Sequence, residues 1–417
     1  MSAKEIITVE SLPLDINDGD VYSIAQSNPN SYTHCFFKYP CKFIPEIPRW
    51  AIRRYNSGDT TVVYDPFSGS GTTLVESAIC GYPSFGSEID KTAKLITKVK
   101  STKLNSIQIQ KLDKYFSKLV ALANDSNAQT TIPVMDNITH WFSEDAINKL
   151  GRIKKGIDDI SDKDIRDFFT VCFASIIKKV SFSDDISPKP YVSTKIKKSP
   201  PDAIKEFSSF YERYKDCIVE FSSIDSVSPQ ILPGGAFGLQ ERNRFTLAIT
   251  SPPYINAFDY ARSMRLENLW LGFETEESIR KGKKDYVGTE SIKNYSNFSH
   301  SDFMQDSPLL IQYIESIHKT DVKRAAVVNK FFSDMKTNLL LTYNSLKEGG
   351  HYIIVIGNSE IRKTEIRSWE VIKEIAVNIG YHYDYHFAYM IKNPYIRIPR
   401  GGQGGKIATD YVLVLSK

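Results

Sequence analysis

The sequence predicts an open, doubly wound α/β sheet carrying a mainly helical insertion, and three observations lead there. First, the apolar run Thr61-Val-Val-Tyr64 passes straight into the glycine-rich turn Asp65-Pro-Phe-Ser-Gly-Ser-Gly-Thr-Thr73 and then into the helical Leu74-Val-Glu-Ser-Ala-Ile79. With a second strand at Pro83-Ser-Phe-Gly-Ser-Glu-Ile-Asp90, this forms an opening strand-helix-strand unit. Second, residues 104 to 225 change to helical periodicity with little strand character. Third, the α/β pattern resumes with Phe245-Thr-Leu-Ala-Ile249, which ends in Thr250-Ser-Pro-Pro-Tyr254.

Along the chain, residues 1 to about 33 read as a loose lead-in with a turn at Asn28-Pro-Asn30. Cys35-Phe-Phe-Lys-Tyr-Pro-Cys-Lys-Phe-Ile-Pro45 follows, then a helix through Ile47 to Tyr55, and the first part of the α/β domain runs to residue 103. The insertion, 104–230, carries helices over Ile107 to Leu122, Asp145 to Ile157, Asp164 to Val180 and Asp202 to Phe221. Polar loops separate them, among them the turn-rich Ser183-Asp-Asp-Ile-Ser-Pro-Lys-Pro-Tyr191. The second part, 231–417, opens on the strand before Ser251 and continues into a helical Met264 to Gly272. Residues 273–321 have no clear period, and a helix then spans Val322 to Leu346. Gly349-Gly350 leads into the strand Tyr352 to Ile356, and final strands are expected at Tyr385 to Lys392 and Tyr411 to Leu415 around the loop Arg400 to Gly405.

Composition bounds the possibilities. The chain has 417 residues, 41% apolar and 24% charged, enough for a large α/β domain plus an inserted unit. No apolar run approaches the roughly 20 residues that span a bilayer, and the first residues lack a signal-peptide core, so the cytoplasm is the expected location and no membrane partner is expected. Cysteines at 35, 41, 80, 172 and 217 make neither a disulfide framework nor a metal-ligand pair, so no metal is expected. The net charge of +4 is concentrated in lysines at 91–103 and 178–198, which read equally as solvated faces and as phosphate contacts.

The first motif is a candidate donor pocket. Its glycines let a ligand approach backbone N–H groups at a helix N-terminus, and no Walker lysine follows to serve a nucleotide phosphate. Asp65 is positioned to face a ligand ammonium. At the end of the next strand, Glu88 can accept hydrogen bonds from ribose hydroxyls, and Asp90 competes for that role.

Taken together, the two motifs resemble those of amino-methylating DNA methyltransferases that use S-adenosylmethionine, above all the cytosine-N4 type with its catalytic Ser-Pro-Pro-Tyr. The resemblance covers the two ends of the chain well and the middle poorly. It implies a Rossmann-like class I methyltransferase sheet, S-adenosylmethionine as cofactor, double-stranded DNA as partner, and a cognate restriction endonuclease acting separately. It assigns Pro66, Phe67, Gly69, Gly71, Thr72 and Thr73, with Asp65, to the methionine part of the cofactor, and Lys42, Phe43 and Pro45 to a segment lying over it. One departure stands out. The family's acidic residue for the adenine amino group is missing from Gly234-Gly-Ala-Phe-Gly-Leu239.

The second motif is then the acceptor pocket. Ser251 Oγ and the carbonyl of Pro252 are the candidate pair that grips the hydrogens of an exocyclic amino group, with Pro253 stiffening the turn and Tyr254 stacking on a flipped base. Cytosine over adenine rests on Ser251 alone, since adenine-N6 enzymes more often carry Asp or Asn there. Cytosine-C5 chemistry needs a thiolate after the donor motif, and Pro40-Cys41 precedes it, so Cys41 reads as a packing residue. Two segments are candidates for reading DNA: 104–230 with Lys195, Lys197 and Lys198, and 273–321 with Arg280, Lys281, Lys283, Lys284 and Tyr286. An adenine-N6 enzyme, an RNA amino-methyltransferase and a catalytically silent nucleic-acid-binding protein stay open.

Overall fold

A computed structural model describes residues 6–25, 31–40, 42–195, 197–255, 260–391 and 409–417. Two short strands open the chain, β1 (Ile6–Val9) and β2 (Asp20–Ile24), followed by α1 (Glu46–Tyr55), β3 (Val63–Asp65), α2 (Thr72–Ile79), β4 (Ser84–Ser87) and α3 (Lys91–Lys100). The helical block comes next, with α4 (Ser106–Asn124), α5 (Ile138–Trp141), α6 (Glu144–Asp158), α7 (Lys163–Ile177) and α8 (Ala203–Ser223). The chain returns to the sheet through β5 (Gln230–Leu232) and β6 (Phe245–Thr250), and α9 (Tyr260–Ser263), α10 (Arg265–Trp270), α11 (Glu276–Gly282), α12 (Pro308–His318) and α13 (Val322–Ser345) follow. It closes with β7 (Leu346–Gly357), the hairpin β8 (Ser359–Ile361) and β9 (Thr364–Ile366), α14 (Ser368–Ile379), β10 (His382–Met390) and β11 (Thr409–Ser416).

Nine of these strands form one sheet in the order β1-β2-β10-β11-β7-β6-β3-β4-β5. Neighbours are parallel except β11, which runs antiparallel to β10 and β7. From β3 the chain builds outward through β4 to β5, then crosses back to β6 and β7 on the other side of β3. Strand order therefore reverses between β3 and β6, and a crevice opens outside their carboxyl ends, where ligands bind in open α/β sheets. This is a Rossmann-like fold.

Both faces of the sheet are covered, which is why its central strands read as continuous apolar runs. Along β7 the side chains alternate. Tyr352, Ile354 and Ile356 pack with α12, α13 and α14, whereas Ile353 and Val355 pack with Leu247, Ile249 and the α1 residues Ile47 and Trp50. A third cluster joins α4, α6, α7 and α8 to Phe36, Phe37, Val75 of α2, Ile96 of α3 and Trp270 of α10. The helical block is thus fused to the cofactor side of the sheet by one continuous apolar core, with Trp270 edge-on to Phe142 and Phe173.

Several expectations need correction. The lead-in is not loose throughout: β2 pairs in parallel with β10 and buries Tyr22 and Ile24. Its partner lies at the far end of the sequence, so no local signal marks it. The expected turn at 28–30 falls outside the described residues, as do Cys41, Lys392 and the loop 400–405. The lysine run at 91–103 hides α3, which is capped by the Asp90 side chain and turns Ala93, Ile96 and Val99 inward while Lys91 and Lys94 stay outside. Residues 273–321 contain α11 and α12, and α14 and β5 lie where no element was expected.

Candidate active site

At the reversal between β3 and β6 lies a cleft that is open to solvent. Six short segments line it: 39–40 with Lys42 and Phe43, 66–70 with Thr72, 87–89, 234–237, Ser251 with Pro253, and 285–287. Parallel pairing of Tyr64 with Ala248 brings the two sequence motifs side by side. One hydrogen bond joins them directly, from the Thr250 hydroxyl to Asp65 Oδ1 at 2.6 Å.

Asp65 is therefore not where a ligand-facing carboxylate would be. It is buried, and Oδ1 also accepts from the Phe67 N–H at 3.0 Å, so the carboxylate ties the turn to the end of β6 from behind. Burial pushes it up to about 6, against the bonds from Thr250 and Phe67 that lower it. Pro66, Phe67, Gly69 and Thr72 line the cleft. Gly71 and Thr73 do not. Gly71 has φ 82°, and a Cβ there would sit 2.8 Å from Thr97 Cγ2, so it lets the turn close onto α3.

Glu88 projects from the end of β4 into the cleft and is almost wholly buried. Its Oε2 accepts from the Gly69 N–H at 2.9 Å, and Oε1 accepts from the N–H groups of Ile89 and Asp90 at 2.7 and 2.9 Å. Burial raises it to about 7, reinforced by the nearby Asp90 charge and opposed by the backbone bonds. Asp90 turns the other way. It caps α3 through the Ala93 N–H at 2.9 Å and accepts from Asn268 Nδ2 at 2.7 Å and the Tyr286 hydroxyl at 3.3 Å. Of the two carboxylates, only Glu88 reaches the cleft.

On the opposite wall, Lys42 donates to the His34 carbonyl at 2.9 Å, and Phe43 lines the cleft while its body belongs to the core beneath α1. Ile89 and Phe237 are 39% and 40% exposed and line the cleft, although both are large and apolar. The Gly235 backbone lies against Ile89, 3.6 Å from its Cβ to the position a Gly235 Cβ would take. Sequence reasoning did not single out Ile89, Phe237, Tyr39 or Asp285. The available signal was an apolar residue directly after the strand-end acid and another inside the glycine-rich stretch that lacks an acid. Tyr286, named only as a recognition residue, lines the cleft as well.

At the acceptor end, Ser251 and Pro253 line the cleft. Among the described residues Ser251 has no hydrogen-bond partner, so its hydroxyl is available to a ligand. Pro252 is buried. Tyr254 is only 9% exposed, does not line the cleft, and donates its hydroxyl to Asp410 Oδ1 at 2.7 Å. Its ring is thus held behind the acceptor loop rather than presented to it.

The basic runs are partly neutralised. Lys91 pairs with Glu274, Lys98 with Asp167 and Lys179 with Glu206. Lys198 turns inward to Asp185 and the Ser183 carbonyl, leaving Lys195 and Lys197 exposed. Arg280 and Lys284 are exposed beside the cleft-lining 285–287 segment, and Lys281 pairs with Glu277. Among the described residues, no group of three or more metal-ligating side chains occurs and no helix is long and apolar enough to cross a membrane.

No protein-family model matches the sequence. The chain is similar to the Type II methyltransferase M.MvaI of Kocuria varians, 24% identical over 442 aligned positions that take in 100% of this chain and 97% of that one. It is also similar to the Type II methyltransferase M.MjaII of Methanocaldococcus jannaschii, 26% identical over 56% of this chain and 45% of that one. Among solved structures, a SAM-dependent methyltransferase from Methanosarcina mazei aligns over 88% of this chain and 96% of its own, with 8% identity and a TM-score of 0.29. The sequence relatives of this chain are Type II methyltransferases, and with M.MvaI the similarity runs its whole length.

Proposed function

We propose that the protein is a site-specific DNA methyltransferase that moves the methyl group of S-adenosylmethionine to the exocyclic N4 amino group of a cytosine flipped out of double-stranded DNA. The observation that carries this reading is the shared cleft, which holds the glycine turn, Glu88 and a Ser251 hydroxyl that has no hydrogen-bond partner among the described residues. The Type II methyltransferase relatives independently support its coarser part, methyl transfer to DNA. Protection of the DNA from a restriction endonuclease acting separately is the role this implies.

The residues fit the cofactor. Pro66 to Thr72 form the turn for its methionine part, under Lys42 and Phe43. Glu88 keeps acceptor capacity on Oε2 for ribose hydroxyls, since that oxygen receives one backbone bond and Oε1 two. Ile89 and Phe237 offer apolar surface to a flat ring, and backbone groups of 234–237 take the place of the missing acid. Asp65, Gly71, Thr73 and Asp90 support the pocket from behind. Bound there, S-adenosylmethionine supplies an electrophilic methyl group on a sulfonium.

The protein's own task is to prepare a poor nucleophile. The lone pair of an aromatic amino group is delocalised into its ring, and two acceptors on its hydrogens favour pyramidalisation and return electron density to nitrogen. Ser251 Oγ and the Pro252 carbonyl are the proposed pair. Prolines at 252 and 253 lack N–H groups and fix the backbone, so the loop carbonyls are aimed without local competition. Catalysis then rests on positioning and electrostatics, with no covalent enzyme intermediate.

The test is mass spectrometry of nucleosides from DNA and RNA incubated with the protein and labelled S-adenosylmethionine, beside Ser251→Ala. Labelled N4-methylcytosine in DNA is the expected product. N6-methyladenine would reassign the base, and label confined to RNA would overturn the substrate. Cofactor binding without any label would point to a silent binder.

A further inference from the structure

Behind the acceptor loop, a carboxylate outside both motifs is engaged by two phenols. Asp410 lies at the start of β11, paired in register with Gly357 of β7 and Tyr389 of β10, so it sits at the ligand-binding edge of the sheet. Its Oδ1 accepts from the Tyr254 hydroxyl at 2.7 Å and its Oδ2 from the Tyr389 hydroxyl at 3.0 Å. All three side chains are buried. Gly288, with φ 77°, bears on the same loop from the other side: a Cβ there would approach the Tyr254 carbonyl oxygen to 3.2 Å.

We infer that Asp410 is a positioning residue for methyl transfer, fixing the acceptor loop by holding the Tyr254 phenol while Tyr389 fixes the carboxylate in turn. This rests on the reading of 251–254 as the acceptor loop. Nothing in the Ser-Pro-Pro-Tyr string identifies the partner, because Asp410 is 156 positions away and on another strand. The physical argument is one of reach. Ser251 and Tyr254 bracket two rigid prolines, so the direction in which the Ser251 hydroxyl points follows from where Tyr254 is anchored. A buried carboxylate that accepts two hydroxyl hydrogens is a strong, directional anchor. Burial pushes the Asp410 carboxyl upward, and the bonds from Tyr254 and then Tyr389 pull it back.

Three variants test this against the purely structural alternative: Tyr254→Phe, Asp410→Asn and the two combined. Loss of a charge-assisted bond at the anchor is expected to lower kcat roughly ten- to a hundredfold in each single variant. S-adenosylmethionine affinity should stay unchanged, and the double variant should be no slower than Asp410→Asn, because both changes cut one interaction. Wild-type kcat in either single variant, or a double variant whose loss is the product of the two, would overturn the inference. Should Asp410→Asn fold poorly, Tyr254→Phe carries the test alone, since it keeps the ring and removes one O–H. A wild-type protein that labels no nucleic acid would instead sink the proposed function.

Discussion

The proposed donor and acceptor ends of the cleft are built in different ways. On the donor side two buried carboxylates hold the geometry: three backbone N–H donors fix Glu88, and Asp65 accepts from the Phe67 N–H and the Thr250 hydroxyl, binding its own turn and β6 together. On the acceptor side the proposed gripping pair joins a side-chain hydroxyl, Ser251 Oγ, to the Pro252 carbonyl. Ser251 is unengaged among the described residues, and Tyr254 is tethered at its hydroxyl to a distant strand. The proposed donor pocket is thus assembled by the fold itself, whereas the proposed acceptor pocket depends in part on side-chain atoms that substitution can remove cleanly.

The largest effect that would sharpen this contrast comes from Ser251→Ala. Removing a positioned acceptor should lower kcat about a hundred- to a thousandfold, by analogy with the loss of one transition-state hydrogen-bonding group. Equilibrium binding of S-adenosylmethionine, measured by calorimetry, should not change. Gly71→Ala should behave in the opposite manner. Its left-handed φ and the 2.8 Å approach to Thr97 together cost about 2–4 kcal/mol of stability, visible in denaturant unfolding, and cofactor binding should weaken with it.

These outcomes also mark what could be read from the sequence. Periodicity located β3, β6, α4 and α6 to α8, because each is amphipathic or buried within its own segment. The two motifs carried their chemistry in contiguous residues. What could not be read depends on partners distant in sequence. Lysines masked α3, whose apolar face needs the helical block to be recognised. β1 and β2 acquire meaning only from β10. In the sequence, Glu88 takes the ribose role with Asp90 as a competitor, and the direction of each side chain separates them, one into the cleft and one onto the α3 N-terminus. Tyr254 was expected to face the base, and the Asp410 bond that draws it back had no local signature.

A smaller effect tests the donor side through pH. Glu88 has a folded value of about 7, above its ordinary 4.5, so between those values the folded protein binds more protons than the unfolded chain. Its contribution to stability therefore falls as pH rises from about 4.5 to about 7, and Glu88→Gln should flatten that part of the stability profile. Ribose hydroxyls favour the ionised form, so cofactor affinity should tighten as pH rises through about 7 in the wild type and not in Glu88→Gln. Smallest of all, Phe237→Ala removes apolar surface from the cleft wall and should weaken cofactor binding roughly five- to tenfold, with kcat at saturating cofactor unchanged.

The most direct single measurement is single-turnover methylation of double-stranded DNA by wild type and Ser251→Ala, each saturated with labelled S-adenosylmethionine, with the product nucleoside identified by mass. A division of labour between the two ends of the cleft predicts N4-methylcytosine from the wild type and a rate at least about a hundredfold lower from Ser251→Ala at full cofactor occupancy. Equal rates from the two proteins would contradict it.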